Sequence, residues 1–461
     1  MDFPQEFCRR MEHLLGEEAK SFFDSLTKEP CRALRWDPEK ITEEELSALL
    51  GSDLGEKIPF APFAAYYTGD GIGHSPLHCG GALYVQDPAA MAPVCALPKR
   101  EYHRILDLCA APGGKSLQAC ESLSSDGVIF CNEPSPVRRA ALMQNLERFG
   151  EGRARVTGLD ATSLPAEWEG KFDLVLCDAP CSGEGMMRKH ERALSEWSVE
   201  NVLLCAERQK KLLESAYRAL APGGILLYST CTWAVEENEE NLAELLEAHP
   251  DLVLTPPREE ILPVSRPALR TKGMDLSAAR RFYPHVFRGE GQFFAILQKG
   301  GCADTARSAA ESENPSPRER KKKSPRPDPE LSAVQAFLAE VLENPPRGEI
   351  LCRQGEYYDA VRDFFPAEKT VSPGVLIGRV QKGRVIPHHR FFLAYAASFR
   401  RKVALSLTDE RVSAYLRGEE ILLPHEADGL AVLFCGRIPL GGVRLRGGRG
   451  KNLYPKGLRI P

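Results

Sequence analysis

Across residues 100–300 short apolar runs alternate with longer amphipathic stretches. The apolar runs fall at 104–108, 128–131, 155–158, 172–177 and 224–229. Between them, apolar positions recur every three or four residues at 115–121, 137–149, 202–220 and 237–248. The first pattern predicts strands and the second helices. Strands alternating with helices predict a parallel sheet covered on both faces, hence an α/β fold with a Rossmann-like sheet. Two further runs, 282–287 and 292–298, flank Gly289-Glu290-Gly291 and predict a closing antiparallel hairpin.

The flanking regions read differently. Helical spacing joins Phe7, Met11, Leu14 and Leu15, then Phe22, Phe23 and Leu26. Thr42 precedes Glu43-Glu44-Glu45 and an apolar Leu46, Leu49, Leu50 face, a helix start with acids in its first turn. Residues 58–98 are rich in Gly, Pro and aromatics, and Tyr84-Val85-Gln86-Asp87-Pro88 predicts a strand entering a helix over 89–97. The expected divisions are a helical N-terminal domain over 1–98, the α/β domain over 99–300, a linker over 301–329 and an α+β region over 330–461. The linker carries Arg318-Glu319-Arg320-Lys321-Lys322-Lys323 among prolines and has too little apolar surface to bury. In the last region a helix over 331–342 precedes short strands such as 375–378 and 432–435.

Composition adds compartment and charge. No apolar run reaches the roughly 20 residues that span a bilayer. The start, Met1-Asp2-Phe3-Pro4-Gln5-Glu6, lacks the basic and apolar regions of a secretory signal. The 14 cysteines show no zinc-finger spacing, so no metal is expected and free thiols in a reducing cytoplasm are. A net charge of −4 argues against a nucleic-acid partner, but its distribution does not. After Asp428 there is no acid, while Arg437, Arg444, Arg446, Arg449, Lys451, Lys456 and Arg459 follow. Such a basic end marks a phosphate-facing surface or a solvated tail.

Asp107-Leu108-Cys109-Ala110-Ala111-Pro112-Gly113-Gly114-Lys115-Ser116 joins the first strand to a helix. Its glycines permit close approach of a nucleotide-like ligand to the helix-start amides. It is not a phosphate-cradling loop, because Cys109 stands where G-x-x-x-x-G-K-S needs glycine, and G-x-G-x-x-G is absent too. Glu133 ends the second strand, placed for ribose hydroxyls; Asp160 ends the third, placed for an adenine amino group; Asp178 ends the fourth. Acids at successive strand ends with no phosphate cradle suit S-adenosylmethionine.

The fourth strand opens into Asp178-Ala179-Pro180-Cys181-Ser182-Gly183-Glu184-Gly185, and Ser229-Thr230-Cys231-Thr232 follows the fifth. Carbon 5 of a pyrimidine becomes nucleophilic when a thiolate adds to carbon 6. That chemistry needs a cysteine, an acid near ring nitrogen 3 and a base for the carbon 5 proton. Cys181 and Cys231 both offer a thiol, and Asp178 the acid. Packing as small apolar side chains accounts for Cys109, Cys131 and Cys177. Arg188, Lys189 and His190 follow as phosphate contacts or surface charges.

These motifs, together and in this order, resemble the RNA cytosine carbon-5 methyltransferases of the Nol/Nop/Sun group, and among them the bacterial enzymes of small-subunit ribosomal RNA. The resemblance extends to Leu34-Arg35, Tyr84–Pro88 and Asn452–Arg459, and leaves out 301–329. It implies a class I methyltransferase sheet, with S-adenosylmethionine held by Cys109, Ala110, Ala111, Pro112, Gly113, Gly114, Lys115, Glu133, Asp160 and Asp178. It assigns the nucleophile to Cys231 and release of the methylated base to Cys181. It also implies a C-terminal PUA-like RNA-binding module, an RNA partner and no DNA. Transfer RNA as substrate, or a non-catalytic RNA-binding assembly factor, are the alternatives.

Overall fold

A computed structural model of the chain describes residues 3–189, 191–301, 328–346, 348–361, 365–366 and 369–461. The N-terminal helices Gln5–Leu15, Ala19–Leu26 and Glu43–Leu50 form as their spacing predicts. Thr42 closes a reciprocal capping box with Glu45, satisfying two amides that the helix start would leave bare. A four-stranded antiparallel sheet accompanies these helices, so the segment is not helical alone. Its strands are β1 (Ala33–Trp36), β2 (Leu54–Lys57), β3 (Ala64–Tyr67) and β4 (Leu83–Gln86), in the order β2-β3-β1-β4. Four-residue strands such as Ala64–Tyr67 are buried along their whole length and carry no alternation to betray them. Asp87 caps the helix Pro88–Cys95 by accepting from Ala89 and Ala90 N–H.

Nine strands make the central sheet: β5 (Tyr102–Asp107), β6 (Leu123–Asn132), β7 (Ala154–Thr157), β8 (Phe172–Asp178), β9 (Leu220–Thr230), β10 (Leu252–Thr255), β11 (Arg266–Pro267), β12 (Arg280–Phe282) and β13 (Gln292–Lys299). Strands β7-β6-β5-β8-β9 run parallel, β13 pairs antiparallel beyond β9, and β10 and β12 pair with the far side of β13. Along β8, Leu174 and Leu176 join the core on one face while Val175 and Cys177 join the core on the other. Successive strand side chains point to opposite faces, so an unbroken apolar run means that both faces are covered. The expected hairpin is corrected in its first arm. That strand is Arg280–Phe282, and 283–287 turn away, with Val286 and Phe287 N–H both donating to Tyr283 O.

The strand order reverses between β5 and β8, because the chain builds β6 and β7 on one side before returning to the other. Open α/β sheets bind ligands at such a switch point, beyond the carboxyl ends of the strands. Asp107 and Asp178 are the last residues of these two strands.

The C-terminal region is α+β, as expected. The helix Pro329–Val341 leads to a four-stranded antiparallel sheet over 349–387 and a five-stranded mixed sheet over 402–452. Ser372 pairs with Val156 across the free edge of β7. Leu34, Trp36 and Leu83 of the N-terminal sheet share one core with Leu433, Ile438 and Leu440 of the five-stranded sheet. The seven basic residues after Asp428 are all exposed. Of the expected linker, 302–327 lie outside the described residues.

Candidate active site

The glycine-rich turn after β5 is held from beneath. Ser116 Oγ donates to Asp107 Oδ2 (2.6 Å) and Cys109 N–H to Asp107 Oδ1 (3.3 Å). Asp107 is fully buried, and burial pushes its carboxyl up to about 7. Gly113 has φ +107°, a conformation that a side chain resists. A Cβ on Gly114 would lie 3.1 Å from the Tyr84 ring, so the turn packs against the N-terminal sheet. The Ala111–Pro112 peptide is cis.

Glu133 directly follows β6. Its Oε1 accepts Ser135 N–H (2.9 Å), and Arg138 Nη1 lies 3.3 Å from Oε2. Oε2 is nevertheless buried without a hydrogen-bond partner. Arg138 also donates to Ala111 O (2.9 Å), tying the glycine-rich turn to the helix Pro136–Phe149. A buried carboxylate oxygen with capacity to spare beside a Gly-rich turn fits a ribose hydroxyl donor. Asp160 stands differently from its expectation. Strand β7 ends at Thr157, and Asp160 lies exposed in the following loop. There its Oδ1 accepts Thr162 Oγ1–H (2.7 Å) and N–H (2.9 Å), which hold its carboxyl below the ordinary range.

Asp178, at the carboxyl end of β8, links the motifs. Oδ2 pairs with Lys115 Nζ (2.8 Å) and Oδ1 accepts from Ser229 Oγ (2.6 Å). Burial works against the Lys115 ammonium, but the Asp178 carboxylate outweighs it and raises its pKa above the ordinary value. The lysine of the first motif, the acid of the second and the serine of the third therefore meet at one point.

The two candidate thiols converge as well. Cys181 Sγ lies 3.2 Å from Cys231 Sγ, across 50 residues of chain. The contact with Cys231 and burial push the Cys181 thiol well above its usual pKa. Behind the pair runs a set of buried acceptors that the sequence does not distinguish from surface acids. Glu184 accepts from Thr232 Oγ1 (2.9 Å), Trp233 N–H (2.9 Å) and Trp197 Nε1–H (3.0 Å). Glu237 accepts from Ser182 N–H (3.0 Å) and Gln209 Nε2 (2.7 Å), and burial pushes its carboxyl up to about 7. Glu239 binds the Arg281 guanidinium, and Arg281 also donates to Trp233 O (2.9 Å), bracing the loop after Cys231. The run Glu236-Glu237-Asn238-Glu239 resembles a solvated helix start in sequence; only the fold turns three of its four residues inward.

Cys131 and Cys177 are buried in the sheet, as packing requires, while Cys109 is partly exposed and burial raises its thiol. Arg188 and Lys189 are not free to hold phosphate. Arg188 pairs with Glu290 (2.7 Å) and donates to Ser25 and Gly289 carbonyls; Lys189 pairs with Asp87 (2.9 Å) and Glu290 (3.3 Å). His190 lies outside the described residues. All cysteines among the described residues are free, and no group of side chains there could hold a metal. No helix among them is long and apolar enough to cross a membrane.

The fold and these residues define a methyltransferase of the Sun/Nop kind. Solved structures share the fold. One is described as a methyltransferase homolog protein from Pyrococcus horikoshii (28% identity, TM-score 0.57, covering 64% of this chain and 95% of that one). Another is NSun6 from the same organism with SFG (22% identity, TM-score 0.55, 65% and 99%). Residues 94–298 match the family model 16S rRNA methyltransferase RsmB/F, 3–88 the N-terminal domain of 16S rRNA methyltransferase RsmF, and 402–460 the methyltransferase RsmF PUA domain. Ribosomal RNA small subunit methyltransferase F of Klebsiella pneumoniae is 30% identical over 99% of this chain and 96% of its own. Its namesake from Shewanella amazonensis is 30% identical over 83% and 80%. The chain belongs to the ribosomal RNA small subunit methyltransferase F family.

Proposed function

We propose that this protein methylates carbon 5 of a cytosine in 16S ribosomal RNA, through a transient bond between Cys231 and carbon 6, in the cytoplasm. The observation that carries the reading is the meeting of Cys181, Cys231 and an Asp178–Lys115 pair at one sheet edge. The residues around the cleft fit S-adenosylmethionine, which supplies an electrophilic methyl group when bound. Glu133 would take its ribose hydroxyls, the Cys109–Lys115 turn would wall it, and Asp160 would meet its adenine from the loop after β7.

Cys231 is the nucleophile in this reading, and its addition makes carbon 5 electron-rich. Asp178 faces ring nitrogen 3 and accepts its N–H once that nitrogen is protonated, which favours the electron-poor ring that Cys231 attacks. Lys115 and Ser229 hold that carboxyl in place. Cys181 takes the carbon 5 proton once the methyl group is on, and Cys231 leaves. A base inside folded RNA must be turned out to reach thiols at a sheet edge. The exposed arginines of the C-terminal sheet would grip the surrounding phosphates.

The test is a comparison of 5-methylcytosine maps of total RNA from cells with and without this protein. The expected result is the loss of one or more sites in small-subunit ribosomal RNA. Loss confined to transfer RNA would move the substrate assignment, and no loss would overturn the activity.

A further inference from the structure

The Cys181 loop is gripped from behind by two side chains that the reaction above does not use. Gln209 Nε2 donates to Pro180 O (3.0 Å), and Ser182 N–H donates to Glu237 Oε2 (3.0 Å). Gln209 Nε2 also donates to that same Oε2 (2.7 Å). The two side chains thus hold both peptide groups that flank Cys181, and both are 0% exposed. Asn241 Nδ2 donates to Gln209 Oε1 (3.1 Å), which fixes which way the amide faces, and Tyr228 Oη gives its one proton to Glu237 O.

Glu237 Oε1 is buried and has no hydrogen-bond partner. An ionised carboxylate is costly in such a place. The titratable groups acting with it are Cys181 on the loop, Cys205 on the helix Val199–Ala219, Tyr228 on β9 and Glu184 beyond Ser182. Each of these is an acid, so each further negative charge in the pocket opposes the others.

We propose that Glu237 is a positioning residue for Cys181: with Gln209 it aims the thiol, and its carboxyl, when neutral, lets Cys181 carry negative charge. The inference rests on the release role of Cys181 proposed above. In that step the C5–H bond breaks and its electron pair re-forms the C5=C6 double bond. The C6–S bond breaks with its pair leaving on Cys231, and the proton ends on the Cys181 thiolate. Glu237 makes and breaks no bond. Once it ionises, two anions share one dry pocket and the thiolate becomes harder to form.

The experiment follows decay of the covalent protein–RNA band on denaturing gels, in single turnover, with full-length enzyme, S-adenosylmethionine and an unmodified 16S ribosomal RNA transcript. It compares wild type, E237Q, E237A and C181A across a series of pH values. Wild-type release is expected to rise with pH and to flatten near 7, where Glu237 ionises. In E237Q one amide oxygen can accept both Ser182 and Gln209 as Oε2 does, so release should keep rising and exceed wild type several-fold above that point. E237A leaves Ser182 N–H and one of the two Gln209 Nε2 hydrogens without an acceptor and should release at least about tenfold more slowly at every pH, the effect of leaving buried donors unsatisfied. An E237Q profile that overlays wild type, or that is slower while keeping the flattening, overturns the proposal. C181A separates the two readings: if it turns over freely, the release role itself fails, whatever Glu237 does. Should E237A fail to fold, E237Q alone decides.

Discussion

Cys181 Sγ and Cys231 Sγ stand 3.2 Å apart, although one thiol follows β8 and the other β9. Parallel pairing of these strands in register, with Asp178 opposite Ser229, is what brings their carboxyl ends level. The two thiols consequently address one small volume, where a single ring can meet both.

Replacing each cysteine in turn should give opposite results. Cys231→Ala is expected to abolish methyl transfer while leaving cofactor binding, read by calorimetry, intact. Cys181→Ala is expected to transfer one methyl group and then remain attached to the RNA, visible as a retarded gel band. Full activity of Cys231→Ala would remove it as the nucleophile.

Asp178 touches both Lys115 and Ser229, so its carboxylate is fixed in place. Asp178→Asn should lower single-turnover methyl transfer about 10²- to 10⁴-fold, the range for loss of a positioned acid–base group. The readout is tritium passed from labelled S-adenosylmethionine to RNA. A change within about twofold, far below that range, would remove Asp178 from the ring-nitrogen role.

Asp107 makes stability depend on pH. Burial raises its folded-state carboxyl to about 7 from an ordinary 3.8, so the folded chain holds the proton that the unfolded chain releases. Its stabilising contribution is complete below the ordinary value and is lost as pH rises through about 7. Asp107→Asn should flatten this decline in urea midpoints taken from pH 4 to pH 7. Glu237 titrates in the same direction, so the slope should shrink rather than vanish. An unchanged slope would exclude a buried, proton-holding Asp107.

Arg444 and Arg446 are exposed on one strand of the five-stranded sheet, two residues apart and therefore on the same face. If both meet phosphate, replacing them with Ala should reduce the slope of log affinity against log salt by about 1.5. Fluorescence anisotropy over a salt series reads this. A weaker affinity with an unchanged slope would mean that these arginines do not neutralise phosphate.

The central sheet was legible because doubly buried strands and amphipathic helices leave unlike patterns. The motifs carried the thiols and Asp178, which lie at or just past strand ends, and Lys115, which opens the helix after β5. What the sequence hid were features set by partners distant in the chain. Arg188 and Lys189 look like surface cations until Glu290, Asp87 and the Ser25 carbonyl are brought to them. Glu237 looks like a solvated acid until helix Val199–Ala219 supplies Gln209. Of the N-terminal sheet only β4 was read, because β1 and β3 are four-residue, wholly buried strands that lack a period to read. Asp160 was placed at a strand end that falls three residues earlier.

The anchoring of Arg188 and Lys189 bears on how the protein can be divided. Lys189 reaches Asp87, and Arg188 reaches Ser25, both within the N-terminal ninety or so residues. Phe7 and Phe22 from that same stretch pack edgewise on Trp197 and Trp233, both of which donate to Glu184. An expression fragment beginning at residue 99 would bare those two indoles and take from Arg188 and Lys189 their partners Ser25 and Asp87. Residues 1–98 should therefore be kept with 99–300, and what could pass for a detachable arm is better regarded as masonry for the loops that carry the thiols.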